Sequence, residues 1–232
     1  MKIIRLVMII AFLSVSVRGA DLANLLHDTQ KLAQDPSNFT LVWWIPTEYW
    51  DVSLRNNPQV TDEARARLDR VLSGYLVFAV TSADIGPMGG MTPKDHDAIN
   101  TNTELLINGK IIVPLKNDDI SIDALNFISV MKPMMANMLG RFGQGLEFLI
   151  YPNPPEGSQK VSVTKSGRIS YIAFGHRFEW NLPLGSFLPP KLDPKTKQVF
   201  PGDYIYNPYT GDKLTMDLAQ PDRITNGAAQ EH

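Results

Sequence analysis

The chain has 232 residues, of which 20% are charged, a formal net charge of −2 and no cysteine. That length suffices for one sizeable domain plus a small appendage. Without cysteine there are no disulfides, no thiol catalysis and no thiolate metal site, and an acidic balance with no basic run is a poor match to nucleic acid or an anionic membrane.

The chain begins MKIIRLVMIIAFLSVSVRGA. Lys2 and Arg5 precede an almost wholly apolar stretch, Leu6 to Val15, too short for an ordinary membrane span. This is the layout of a secretory signal peptide, with a cut expected after Gly19. A retained N-terminal anchor is the alternative. Cleavage removes Lys2, Arg5 and Arg18 and no acid, so the net charge falls from −2 to −5. Export without disulfides points to a bacterial envelope protein, periplasmic or secreted. No integral membrane span is expected after cleavage.

Asp21 to Gln34 is expected to be a helix ended by Asp35-Pro36. Phe39–Ile45, FTLVWWI, reads as a strand from its β-branched and aromatic content. A short turn or helix follows at Pro46–Trp50. Trp43, Trp44, Tyr49 and Trp50 fall within eight residues of one another. They suit a packed aromatic corner, or a ligand platform for a sugar or an apolar chain. Glu48 and Asp51 beside them could serve as acid and base in glycoside chemistry, if they faced each other across a sugar.

Thr61 caps a predicted helix over Asp62–Leu72, with Arg65, Arg67 and Arg70 on a solvated face. Tyr75–Thr81, YLVFAVT, is a near-continuous apolar run and a central strand. Asp84 to Asn102 is expected to be an irregular, glycine-rich loop. It holds Asp95, His96 and Asp97, with Asp84 nearby, whose imidazole and carboxylates suit a hydrolytic divalent ion. Asn108-Gly109 between two apolar runs predicts a two-residue hairpin turn.

Ser121 or Asp123 begins a long apolar helix ending at Gly140, interrupted by Pro133 and expected to cover one face of a sheet. Met131, Met134, Met135 and Met138 recur on it at three- and four-residue spacing. They fill core space or offer thioether ligands to Cu(I), with Met88 and Met91 available from a loop. Leu146–Tyr151 is a strand. Lys160–Thr164 and Arg168–Phe174 are expected to pair as a hairpin around Ser166-Gly167. His176, Phe178 and Trp180 share one face of a further strand.

From Leu188 the chain reads LPPKLDPKTKQVFPGDYIYNPYTGDKL. Asp193-Pro194-Lys195-Thr196 and Asn207-Pro208-Tyr209-Thr210, the second followed by Gly211 and Leu214, resemble the two Cys-Pro-x-Cys knuckles of a zinc ribbon. The resemblance covers this last segment alone, and all four cysteine ligands are replaced. It implies a small metal-free β-hairpin appendage in which Asp193 and Asn207 bond their own turn backbones. A calcium site at Asp193, Asp203 and Asp212 is an alternative that lacks the usual loop pattern.

The expected fold is therefore α+β: a mainly antiparallel sheet with covering helices at 20–187, the ribbon-like appendage at 188–214 and a polar tail at 215–232. No nucleophile elbow or His-Glu-x-x-His occurs. The expected function is an exported, non-catalytic protein that binds an unspecified protein or small-molecule ligand through Trp43–Trp50 and the Asp84–Asn102 loop, with no cofactor. The alternatives are copper handling by the methionines and a metal-dependent hydrolase at Asp95–Asp97.

Overall fold

The computed structural model describes residues 22–55 and 57–216. The expected leader over 1–19 and most of the expected tail lie outside them. The fold is α+β and the chain divides into two units between Pro183 and Leu184, a few residues before the expected boundary. No helix among the described residues is long and apolar enough to cross a membrane.

In the first unit a helix over 22–29 (α1) is followed by β1 (Gln30–Gln34), β2 (Asn38–Ile45), α2 (Thr47–Leu54) and α3 (Asp62–Leu72). Then come β3 (Tyr75–Ile85), β4 (Met91–Pro93), α4 (His96–Thr101), β5 (Thr103–Ile107), β6 (Lys110–Ile112) and α5 (Ile122–Met138). β7 (Glu147–Pro152), β8 (Gly167–Ala173) and β9 (His176–Leu182) complete it.

Two antiparallel sheets result. The first runs β1-β2-β3, and the far edge of β3 is shared: β7 pairs along Tyr75–Val80 and β4 along Ala83–Ile85. The second runs β6-β5-β8-β9. β2 and β3 are buried along almost their whole length, on both faces. That is why their sequences are continuous apolar runs and not alternating ones.

The pairing of Trp44 with Phe78 puts both rings on one face of the first sheet. There Phe78 stacks on Tyr171 of β8 at 4.8 Å and meets the edge of Trp180 of β9 at 5.9 Å, while Trp44 meets Trp180 at 6.4 Å. Trp180 donates its indole N–H to the carbonyl of Thr29. Trp43 faces the other way and packs on Tyr49 of α2, and Trp50 packs on Phe127 of α5. The layers are therefore helices, first sheet, second sheet.

Three expectations are corrected. The predicted helix over Asp21–Gln34 stops at residue 29, and Gln30–Gln34 pairs with β2 instead. Asp35 Oδ1 accepts the amides of Ser37 and Asn38 and reverses the chain there, so strand pairing overrides the helical propensity of Gln, Lys, Leu and Ala. Lys160–Thr164 is not a strand. Asn153 holds it as a loop, donating to the Val161 carbonyl and accepting its amide, while β8 pairs with β9 around Phe174-Gly175. The Asp84–Asn102 loop contains the β3–β4 hairpin and α4.

Asn108 and Gly109 both take positive φ, 50° and 84°, as a type I′ hairpin turn requires. α5 starts on the Ser121 side chain and covers the sheet, but with one flank only. Ala124, Ile128 and Met135 are buried; Ile122, Val130, Met134 and Met138 face solvent.

In the second unit β10 (Lys191–Leu192) pairs with both β11 (Val199–Phe200) and β12 (Thr215–Met216). Phe200 packs on Tyr204 and Tyr209. Asp193 and Asn207 are buried at the heads of two matching turns.

Candidate functional site

α2 and α3 run side by side on the helical layer and leave a cleft of about 380 Å³ between them. Trp50, Leu54, Leu68 and Leu72 give it an apolar wall, while Glu48, Asp51, Asp62, Arg65 and Asp69 give it charge. Local sequence explains each helix. Thr61 caps α3 by accepting the Ala64 amide, and Asp62 and Glu63 occupy its first turn, where the helix dipole favours acid. α2 begins after Pro46 and is fixed by Tyr49 and Trp50, both buried.

Arg65 lines the cleft and pairs with Asp51 at 3.0 Å and with Asp62. Arg55 takes the second oxygen of Asp51 at 2.6 Å. Asp51 therefore has a guanidinium on each oxygen. Glu48 is different. Burial pushes its carboxyl above the usual range, and the nearby charge of Asp69 adds to this; its own backbone amide, the Thr47 hydroxyl at 3.3 Å and the positive field of Lys160 only partly oppose it. Glu48 makes no ion pair among the described residues.

The aromatic residues singled out from sequence divide between the two faces of the first sheet. Trp43 and Trp44 are fully buried on opposite faces. Tyr49 is buried beneath α2, and Trp50 alone of the four lines the cleft. Arg65, expected on a solvated face, is instead the clamp joining α2 to α3. The signal for it was Asp51: an acid on α2 matched by an arginine on the next helix.

Asp95, His96 and Asp97 lie at the start of α4. Asp95 caps it by accepting the Ala98 amide, and Asp97 is exposed in its first turn. His96 Nδ1 lies 3.1 Å from Glu147 Oε2, and Lys132 pairs with the other oxygen of Glu147 at 2.8 Å. Asp84 pairs with Lys94 at 2.6 Å. Among the described residues, no group of three or more histidine, aspartate or glutamate side chains is placed to hold a metal ion. On α5, Met134 and Met138 are each 59% exposed, Met131 is half-buried and Met135 is buried.

In the second unit, Asp193 Oδ1 accepts the amides of Lys195 and Thr196, and Asn207 Oδ1 accepts those of Tyr209 and Thr210. Asn207 donates its side-chain amide to the remaining oxygen of Asp193. These bonds hold the Asp193 carboxyl down at about 2, the Asn207 bond contributing most. A folded-state pKa below the ordinary 3.8 means that the charged form stabilises the folded unit. That contribution is present above about pH 4 and is lost as pH falls towards 2. Protection of the Lys195 and Thr196 amides, relative to their intrinsic exchange rates at each pH, should therefore fall over that interval, and Asp193→Asn should flatten the acid dependence. Unchanged acid dependence in Asp193→Asn would assign it to other groups.

No protein family, curated protein or solved structure matches the chain. Its fold and cleft define it as an α+β protein with a helix-lined pocket and a small second β unit.

Proposed function

We propose that this chain is an exported, non-catalytic binding protein of the cell envelope whose ligand site is the cleft between α2 and α3. The observation that carries the reading is Glu48: a half-buried carboxyl, lining a cavity, with no basic side chain bonded to it. Burial without a basic partner drives a carboxylate towards its neutral form, and a cationic ligand would supply the charge that favours the ionised one. Two features support the reading, one for the location and one for the absence of a free base. The leader-like N-terminus and the lack of cysteine fit an envelope protein. Asp51, the other carboxylate of α2, is held by two arginines and is not free to act as a base.

The test is thermal unfolding of the full chain against a panel of small ligands. A true ligand at a hundred times its Kd should stabilise the protein by about 2.7 kcal/mol. Ala66 is exposed and lines the cleft. Ala66→Trp should fill the space and abolish the shift without touching the core. A ligand that stabilises both proteins equally would place the site elsewhere.

A second reading, copper handling, is favoured by the exposure of Met134 and Met138 one helical turn apart, with Met131 beside them. Thioether sulfur is a soft ligand suited to Cu(I). Titration with Cu(I) against a competing chelator should show one ion bound, lost in the double variant Met134→Leu with Met138→Leu. Equal binding by the double variant would reject the site.

A further inference from the structure

We infer that the α2–α3 cleft takes a small organic cation, an amine carried on an apolar body; this rests on the cleft being the ligand site. The walls carry four carboxylates, Glu48, Asp51, Asp62 and Asp69, against the guanidinium of Arg65, with Arg55 on the second oxygen of Asp51. Both terminal nitrogens of Arg65 are already taken, by Asp51 and Asp62. An anion entering the cleft would meet more acid than base, with the buried Nε–H of Arg65 as the one guanidinium nitrogen left unpartnered to receive it.

The carboxylates also lie at different depths. The Asp62 side chain is 94% exposed and that of Asp51 49%, so these two form the rim. Glu48 is half-buried, and a lower effective dielectric there makes a single charge pair count for more than at the exposed rim. Its carboxyl accepts from its own backbone amide and from the neighbouring Thr47 hydroxyl at 3.3 Å, and keeps further lone pairs that can accept from a ligand. An ammonium group offers three donors and the compensating charge.

The remaining wall selects the body of the ligand. Trp50, Leu54, Leu68 and Leu72 offer hydrocarbon and an indole, and an indole attracts a nearby cation as well as an apolar chain. A hard divalent metal ion would need six or more oxygens around it, and half of this wall is hydrocarbon. A volume of about 380 Å³ is near the lower end of small-molecule sites, too small for a peptide or an oligosaccharide.

The experiment is isothermal titration of the full chain with three probes of one shape: benzylamine, benzyl alcohol and benzoate. Benzylamine should bind at one site, about tenfold or more tighter than benzyl alcohol, and benzoate should give no heat. Glu48→Gln keeps the shape and removes the charge; it should lose the preference for the amine while leaving the alcohol unchanged. Asp69→Asn, at the exposed side of the cleft, should weaken the amine in the same direction by less. Ala66→Trp should block both ligands. Equal binding of amine and alcohol, both blocked by Ala66→Trp, would overturn the cation inference and leave the cleft as a binding site. Binding of benzylamine unaffected by Ala66→Trp would overturn the cleft itself. No binding of any probe would overturn the amine assignment, leaving the wider ligand panel to decide the cleft.

Discussion

Replacing Phe78 by alanine is expected to destabilise the first unit by about 3–5 kcal/mol, the range for truncating a fully buried aromatic ring. Phe78 is fully buried at the centre of β3. It is the residue that touches the most rings of the second sheet and its surroundings: Tyr171 face to face, Trp180 and Tyr151 edge on. Removing it deletes the transfer energy of the ring and leaves a void lined by stiff aromatic groups that collapse poorly. The void also loosens the packing around the buried bond between the Tyr151 and Tyr171 hydroxyls, 3.2 Å long. Burial keeps both phenols protonated, Tyr171 being pushed up to about 12, so that bond is neutral and depends on exclusion of water. A loss of this size approaches the whole stability of many domains, about 5–15 kcal/mol. Urea unfolding followed by tryptophan fluorescence reports it directly, because Trp44 and Trp180 lie in the same cluster. Phe142→Ala is the control: that ring is 41% exposed and should cost much less. A loss below about 1 kcal/mol for Phe78→Ala would show that the sheets are held together elsewhere.

The parts of this fold that were legible in the sequence are those where local chemistry and burial agree. FTLVWWI and YLVFAVT read as central strands because both of their faces are buried, and the Asn108-Gly109 turn because positive φ leaves little choice of residue. Gln30–Gln34 was illegible as a strand. Its residues favour helix, and only the turn at Asp35 and the waiting edge of β2 decide otherwise. The same holds for Lys160–Thr164, where a side chain from Asn153 replaces a neighbouring strand. For the cleft, Glu48, Asp51 and Trp50 were visible as a group. What was not visible is that α3 lies beside them, since packing of α2 on α3 is a tertiary fact that no spacing encodes. The α5 methionines were expected inside because the helix is apolar nearly all round. Half of that surface is exposed because α5 forms an outer layer and meets the sheet along one flank.

The four-fold variant Asp193→Cys, Thr196→Cys, Asn207→Cys and Thr210→Cys is expected to bind one zinc ion, where the parent second unit has none of the thiolates such a site needs. We propose that this unit is a metal-free ribbon, and the hydrogen bonds support the reading. Each turn begins with a side-chain oxygen that accepts the amides two and three residues on. Each places a threonine three positions later whose hydroxyl accepts the amide two beyond it, Gln198 in one turn and Asp212 in the other. The backbone closes both turns alike, Lys197 N–H to the Asp193 carbonyl and Gly211 N–H to the Asn207 carbonyl. Thiolates at the same four positions would accept the same amide donors. The bond from Asn207 to Asp193 joins the two turns where a shared ion would otherwise do so. A structural zinc site contributes about 10–16 kcal/mol in small peptides at neutral pH, far more than one amide–carboxylate bond. The variant should therefore fold with metal even if it is loose without it. Co(II) titration reads the outcome through the absorption of tetrahedral thiolate coordination. One ion bound, displaced by zinc and absent in Asp193→Cys alone, supports the ribbon. Weak binding without that absorption would show that the two turns do not bring their heads to a common centre, and the likeness would be confined to the letters.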